Sequence, residues 1–268
     1  MKIKFILGLL LSSFLLVACG GDGKNINVTV APETATVKAG TSQTFVATVT
    51  GTKKTDVTWN VEESNGGTIS AAGVYTAPAT AGTYHVRATS VDDKKKSATA
   101  AITVTPLDNA MVRVFHVSPD APKVNLWVND AVVKSKLDYQ ESTGNLTLPE
   151  GSYKVAVEGI IPGGNKVVIG PVTLSLAGKT HYDVIAVNSV SKIEPLILAD
   201  TGKLSDSSKV RVRVAHLAAA APEVKVFVTA PDADLANSTA LGSFAFKGSL
   251  GPVEVAAGTY RIRVTLAN

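Results

Sequence analysis

The sequence predicts an all-β chain built of tandem β-sandwiches, and three observations carry that prediction. After residue 25 no stretch shows a convincing helical period, and helix-friendly runs such as Ala218 to Ala221 are short. Short Val/Thr-rich segments instead alternate apolar and polar residues, among them Val28-Thr29-Val30, Thr44 to Val49 and Ala98 to Val104, with Gly, Pro, Asn and Asp between them. Part of the chain also repeats: Val112-Arg113-Val114-Phe115-His116-Val117 recurs 100 residues later as Val212-Arg213-Val214-Ala215-His216-Leu217.

Composition bounds the rest. A length of 268 residues allows one to three domains. At 45% hydrophobic residues the chain can build a core, which excludes wholesale disorder. Lys plus Arg is 26 against 22 Asp plus Glu, a net charge of +4 without the basic clusters of a nucleic-acid binder, so no nucleic-acid partner is expected. One cysteine excludes a disulfide framework, a zinc finger or a Cys-x-x-Cys redox site within one chain. Four histidines leave little for a histidine-rich metal site, and neither a metal nor a cofactor is expected.

The N-terminus reads as an address. Lys2 and Lys4 precede an apolar run from Phe5 to Val17, about as long as a signal-peptide core and shorter than the roughly 20 residues of a membrane span. The run ends Leu16-Val17-Ala18-Cys19-Gly20, which resembles the lipobox of bacterial lipoproteins. That resemblance implies a signal peptide over 1–18, lipidation of Cys19 and a Gly-rich tether over 19–25, about 13 Å long as a coil. An ordinary cleaved leader with a coincidental cysteine is the alternative. A lipoprotein cysteine carries three acyl chains by resemblance; at about 0.8 kcal/mol per buried methylene such an anchor is effectively permanent, and membrane lipid is the partner expected at Cys19. Gly20, rather than Asp, after the cysteine favours the outer membrane by the same resemblance. Loss of Lys2 and Lys4 leaves 24 basic against 22 acidic side chains, so much of the apparent basicity belongs to the leader.

The first β unit spans 26–106. Its Val30-Ala31-Pro32, Val37-Lys38-Ala39-Gly40, Thr44-Phe45-Val46-Ala47-Thr48-Val49, Val57-Thr58-Trp59, Gly73-Val74-Tyr75-Thr76-Ala77-Pro78 and Ala81-Gly82-Thr83-Tyr84 segments resemble a bacterial immunoglobulin-like domain of group two. The resemblance implies an immunoglobulin-like sandwich, with Trp59 as the core tryptophan of a central strand and Tyr84 as a tyrosine corner. Val86 stands where antibody domains have their second cysteine, so apolar packing replaces the disulfide.

The second unit, 111–200, and the third, 209–268, are copies of one repeat. Pro122-Lys123-Val124-Asn125-Leu126-Trp127-Val128 recurs as Pro222-Glu223-Val224-Lys225-Val226-Phe227-Val228, and Gly151-Ser152-Tyr153-Lys154-Val155 as Gly258-Thr259-Tyr260-Arg261-Ile262, now 107 residues on. The seven extra residues are expected in a loop around 230–237. The Arg-Val-x-His strand, Ser118-Pro119-Asp120-Ala121-Pro122 and Val128-Asn129-Asp130 resemble the family called domain of unknown function 4397, which implies architecture and no chemistry; the third unit departs, with Ala218-Ala219-Ala220-Ala221 in the turn. Each copy is expected to be a sandwich of about seven strands, with Tyr153 and Tyr260 as corner tyrosines. Only eight residues follow Tyr260, so the third sandwich is expected to be incomplete, either a truncated product, the reading preferred, or one that a partner strand completes. Linkers are expected at 105–110 and 201–208, the second polar and flexible.

The chemistry is sparse. No Gly-x-Ser-x-Gly elbow occurs. His116 with Asp120 is the best catalytic pair by residue type, but His216 faces Ala220 at the matching place, so both histidines read as structural. Asp232, Asp234 and Asn237 read as a solvated turn before a calcium loop, and Asp92-Asp93-Lys94-Lys95-Lys96 as a hairpin tip before a lipid-headgroup contact. Gly163-Gly164-Asn165 is a hairpin-turn signal. Trp127 and Phe227 read as core residues, with stacking on sugar rings as the alternative if exposed. The expectation is a non-catalytic, membrane-anchored cell-envelope lipoprotein presenting modules for adhesion or for ligand, polysaccharide or protein binding. An envelope hydrolase using His116, and a spacer or assembly subunit, are the alternatives.

Overall fold

The computed structural model describes residues 25–267. The leader, Cys19 and the tether up to residue 24 lie outside the described residues. The chain divides into two compact units, 1–106 and 107–268.

The first unit contains β1 (Asn27–Ala31), β2 (Thr34–Lys38), β3 (Ser42–Thr44), β4 (Val46–Thr50) and β5 (Val57–Val61). It continues with β6 (Thr68–Ile69), β7 (Val74–Thr76), β8 (Gly82–Ser90) and β9 (Ser97–Thr105). One sheet runs β2-β9-β8-β5; β3-β7-β6 and the pair β1-β4 make the others. Pro32 has no N–H to donate and falls between β1 and β2. The chain therefore pairs antiparallel with β4 before the break and parallel with β9 after it. Phe45 and Tyr75 fill the core edge-to-face, with ring centroids 6.4 Å apart, beside the buried Val86, Ala88, Ala100 and Ile102. Burial first of all pushes the Tyr75 hydroxyl up to about 12, and that hydroxyl donates to the Gly66 carbonyl at 2.6 Å. Gly73 has φ +77°, and a Cβ there would lie 2.2 Å from the Phe45 carbonyl oxygen, so the crossing of these segments requires glycine. Trp59, expected in the core, is only half-buried. It lies on β5, the edge strand of its sheet, and the central volume belongs to Phe45 and Tyr75.

The second unit begins with β10 (Asn109–His116), β11 (Val124–Val128), β12 (Ala131–Leu137) and β13 (Leu146–Pro149). Next come β14 (Gly151–Gly159), β15 (Lys166–Leu176), β16 (His181–Val187) and β17 (Glu194–Asp200). These eight strands, one more than the repeat length suggested, form sheets in the orders β13-β10-β16-β17 and β12-β11-β14-β15. β10 and β16 run parallel; the other pairs are antiparallel. Period-two alternation turns Val112 and Val114 of β10, Val124 and Leu126 of β11, and Val155 and Val157 of β14 into one buried cluster with Ile169 and Leu174 of β15. The voids left inside are small, about 40 and 20 Å³.

The third copy of the frame lies in the same compact unit. It has β18 (Lys209–Ala215), β19 (Val224–Thr229), β20 (Gly242–Phe244), β21 (Ser249–Ala256) and β22 (Arg261–Leu266). Its sheets are β18-β21 and β20-β19-β22. By the offsets of 100 and 107, β18, β19 and β22 correspond to β10, β11 and β14. Among the described residues nothing corresponds to β15, β16 or β17. The extra residues fall between β19 and β20, where 230–241 replaces the two-residue turn 129–130. The linker expected to flex is tied down: Arg211 donates to the Lys203 carbonyl at 2.7 Å, and the Ser205 amide and hydroxyl both donate to Glu254.

Candidate functional site

Sheet β12-β11-β14-β15 has an inner face on the core and an outer face on solvent. Val124 and Leu126 point inward, so alternation puts Asn125 and Trp127 on the outer face. The antiparallel register sets Asn125 opposite Glu158 and Trp127 opposite Ala156. One carboxylate oxygen, Glu158 Oε2, accepts from Asn125 Nδ2 at 2.9 Å, from Asn165 Nδ2 at 3.1 Å and from the Trp127 indole N–H at 3.4 Å. The Asn125 bond is the largest influence on the carboxyl. With the other two donors it outweighs desolvation and holds Glu158 below the usual carboxylate range. The indole is thereby fixed by its edge and half-buried, with the exposed Val132 (44%) opposite it on β12 and Ala156 opposite it on β14. An apolar ledge with amides and an ionised carboxylate beside it can take a ligand that has both apolar faces and hydroxyl edges.

This placement corrects the reading of Trp127 as a core residue. The alternation Val124, Leu126, Val128 already assigned the opposite face to residue 127, and the aromatic type outweighed that signal. Sequence pattern does not mark this cluster as a site: β11–β14 register sets Asn125 opposite Glu158, and the turn before β15 brings Asn165 back to the same carboxylate. Phe227, also half-buried and off the core-facing row of β19, lies opposite Arg263. Its third-copy neighbours are Lys225 and Thr265 where the second copy has Asn125 and Glu158, so the polar cluster is not a general property of the repeat.

The two histidines behave alike. His116 is 1% exposed and His216 6%, and each ring donates through Nε2 to the carbonyl of the proline six residues on, Pro122 or Pro222, at 3.0 Å. A carbonyl oxygen only accepts, so Nε2 carries the proton in both rings. Nδ1 of His216 accepts from the Ala218 amide at 3.3 Å; Nδ1 of His116 and the Ser118 hydroxyl are buried without a protein partner among the described residues. Asp120 does not serve His116 here: its Oδ1 accepts from the Val190 amide at 2.7 Å and fastens the short 3-10 helix at Val190–Lys192. Tyr139 stands edge-on to His116, 6.3 Å away, in the wall of an open cleft of about 790 Å³ that Pro119, Asn188, Lys192 and Leu217 also line.

The corner tyrosines share one geometry. Tyr84, Tyr153 and Tyr260 donate to the carbonyls four residues upstream, of Thr80 at 3.0 Å, Pro149 at 2.8 Å and Ala256 at 2.9 Å. Asp234 closes its own turn, accepting from the Ala236 amide and from Asn237 Nδ2, both at 3.1 Å. Asp93 accepts from the Lys95 amide at 2.9 Å in the hairpin between β8 and β9. Among the described residues no group of three or more His, Cys, Asp or Glu side chains is placed to hold a metal, and no helix is long and apolar enough to cross a membrane.

Two disulfide-free β modules with an outward aromatic ledge define the class, and family comparison gives the modules their names. Residues 26–105 match the Bacterial Ig-like domain (group 2), and residues 110–227 match the Domain of unknown function (DUF4397). The chain thus carries a group 2 bacterial Ig-like domain followed by a domain of the DUF4397 family, whose match runs past the linker into β19. No curated protein matches the chain. Among solved structures, the Bacteroides ovatus mixed-linkage glucan utilization locus (MLGUL) SGBP-B in complex with mixed-linkage heptasaccharide is similar at 13% identity, over 84% of this chain and 91% of that one. Its TM-score is 0.22, a likeness too slight to bear on arrangement or ligand.

Proposed function

We propose that the chain is a non-catalytic cell-envelope lipoprotein, anchored through Cys19, most simply in the outer membrane, whose β modules present a binding surface. The ligand we assign to that surface is a neutral polysaccharide, held on the outer face of β11 and β14. The observation that carries this reading is the Trp127 indole, fixed by Glu158 and half-buried on the outer face beside the exposed Val132. A sugar ring has an apolar C–H face to stack on the indole and hydroxyls to meet Asn125, Asn165 and Glu158. An ionised Glu158 disfavours anionic sugars, which selects the neutral class. The group 2 Ig-like module and the lipobox-like Cys19 support an envelope location. The burial of His116 and the engagement of Asp120 with Val190 support a binding role over a hydrolase.

A glycan array probed with the full chain tests the reading. Neutral polysaccharides should be retained by the native chain and by Phe227→Ala, and lost with Trp127→Ala. Retention by Trp127→Ala would remove the site. Turnover of a retained glycan that disappears in His116→Ala, with the melting curve unchanged, would establish the hydrolase instead.

A further inference from the structure

The edge strand β12 does not run evenly beside β11. Val124 faces Leu137, Leu126 faces Lys134 and Trp127 faces Val132. Three steps along β11 are matched by five along β12, so β12 is bulged and carries two extra residues. Within the bulged stretch Lys136 has φ +55°, the left-handed region that a residue with a Cβ seldom enters. Its exposed side chain makes no hydrogen bond or ion pair among the described residues, so the side chain does not account for the conformation.

The backbone does. The Lys136 amide donates to Asn125 Oδ1 at 3.2 Å. With that oxygen committed as an acceptor, the carboxamide turns its Nδ2 the other way, and Nδ2 donates to Glu158 Oε2 at 2.9 Å. The same carboxylate oxygen takes the Trp127 indole N–H. One chain of hydrogen bonds thus runs from the bulge to the indole.

The third copy supplies the contrast. There Lys225, Phe227 and Thr265 stand for Asn125, Trp127 and Glu158. β20 runs evenly beside β19, with Val224, Lys225 and Val226 facing Phe244, Ser243 and Gly242. By the offset of 107 Ser243 stands for Lys136, and it does not have a positive φ. A different left-handed pair behaves otherwise. Gln140 at φ +65° and Lys247 at φ +67° match by the same offset, and their amides donate to the carbonyls of His116 and His216, each at 2.8 Å. That conformation belongs to the repeat. The one at Lys136 occurs in the copy that has the Asn125, Glu158 and Trp127 cluster and not in the copy that lacks it.

We infer that Lys136 is a positioning residue of the ledge: its amide, delivered by the β12 bulge, fixes which way Asn125 points, and through Asn125 and Glu158 orients the Trp127 indole for a sugar ring. The inference rests on the glycan reading for what the ledge holds, and not for how the ledge is built.

Variants of the full chain that differ in their tolerance of a left-handed backbone test it. Lys136→Gly and Lys136→Asn keep the amide and accept φ +55°. In both, the Trp127 indole N–H resonance, the Asn125 side-chain amide resonances and the Glu158 carboxyl midpoint should stay native-like. Lys136→Val is β-branched and resists that conformation. It should move all three signals, raise the midpoint and weaken glycan retention about tenfold, the worth of one oriented hydrogen bond. Asn125→Ala reads the link from the other side without altering β12, and so decides the matter even if Lys136→Val fails to fold: the Lys136 amide loses its acceptor and should exchange with solvent about tenfold faster. Native-like signals in a folded Lys136→Val, equal displacement in Lys136→Gly, or unchanged exchange of the Lys136 amide in Asn125→Ala would each overturn the inference. Signals that follow the expected order in chains that retain no glycan would uphold the positioning and remove the glycan reading. Equal glycan retention by the native chain and Lys136→Val, with the three signals unmoved, would do the reverse.

Discussion

The second and third copies of the repeat teach what a sequence pattern does and does not confer. β14 and β22 carry the same apolar row, Tyr153-x-Val155-x-Val157 and Tyr260-x-Ile262-x-Val264, and each pins its start through a tyrosine hydroxyl to the carbonyl four residues upstream. One row is core and the other is surface. In the second copy β15 and β16 contribute Ile169, Leu174 and Ala186 to the cluster that buries the β14 row, and among the described residues no such strand lies over β22. A binary pattern specifies a face, and only a covering layer makes that face an interior.

The largest expected break in that comparison comes from a charge. Val157→Asp should cost about 4 kcal/mol or unfold the second copy, because it buries an unpaired carboxylate. Val264→Asp, at the matching place on an exposed face, should cost about 0.5 kcal/mol or less. Denaturant melts of the two variants check the contrast, and equal losses would mean that β22 is covered in solution.

Where the copies agree, the variants should agree. His116→Ala and His216→Ala each remove a buried ring and strand a proline carbonyl, and each should cost about 2 to 3 kcal/mol in chemical denaturation. A large loss at only one of them would assign the other a different role. Tyr153→Phe and Tyr260→Phe remove one hydrogen bond apiece and should each lower stability by about 1 kcal/mol.

The smallest effect is electrostatic and belongs to the second copy alone. Glu158 is held below its ordinary value, 4.5, chiefly by Asn125. A carboxyl whose folded pKa lies below its unfolded one stabilises the fold above the unfolded value, and loses that contribution as pH falls through the folded value. A carboxyl-carbon NMR titration should therefore find its midpoint below 4.5, and Asn125→Ala should raise it. An unchanged midpoint would mean that the amide does not orient the carboxylate.

Much of this was legible beforehand. Short Val/Thr alternation gave the β class, and the offsets of 100 and 107 located the strands that share a register between the copies. What escaped was tertiary. Trp59 was assigned to a core by its resemblance, but an edge strand cannot enclose it on both sides. Trp127 was assigned to a core by its type, against the alternation of its own strand. The Asn125, Asn165 and Glu158 cluster joins residues up to 40 apart in sequence, and only strand register makes them neighbours. The parallel pairing of β10 with β16 was equally silent, because period-two patterning is the same in either direction.

The most direct test follows the Trp127 indole N–H resonance while a neutral polysaccharide retained on the array is titrated into the full chain. A bound sugar on the ledge should shift that resonance saturably, with Asn125 and Asn165 side-chain amides moving at the same concentrations. Binding that leaves the indole and both amides unmoved would contradict the account and place the ligand elsewhere on the molecule.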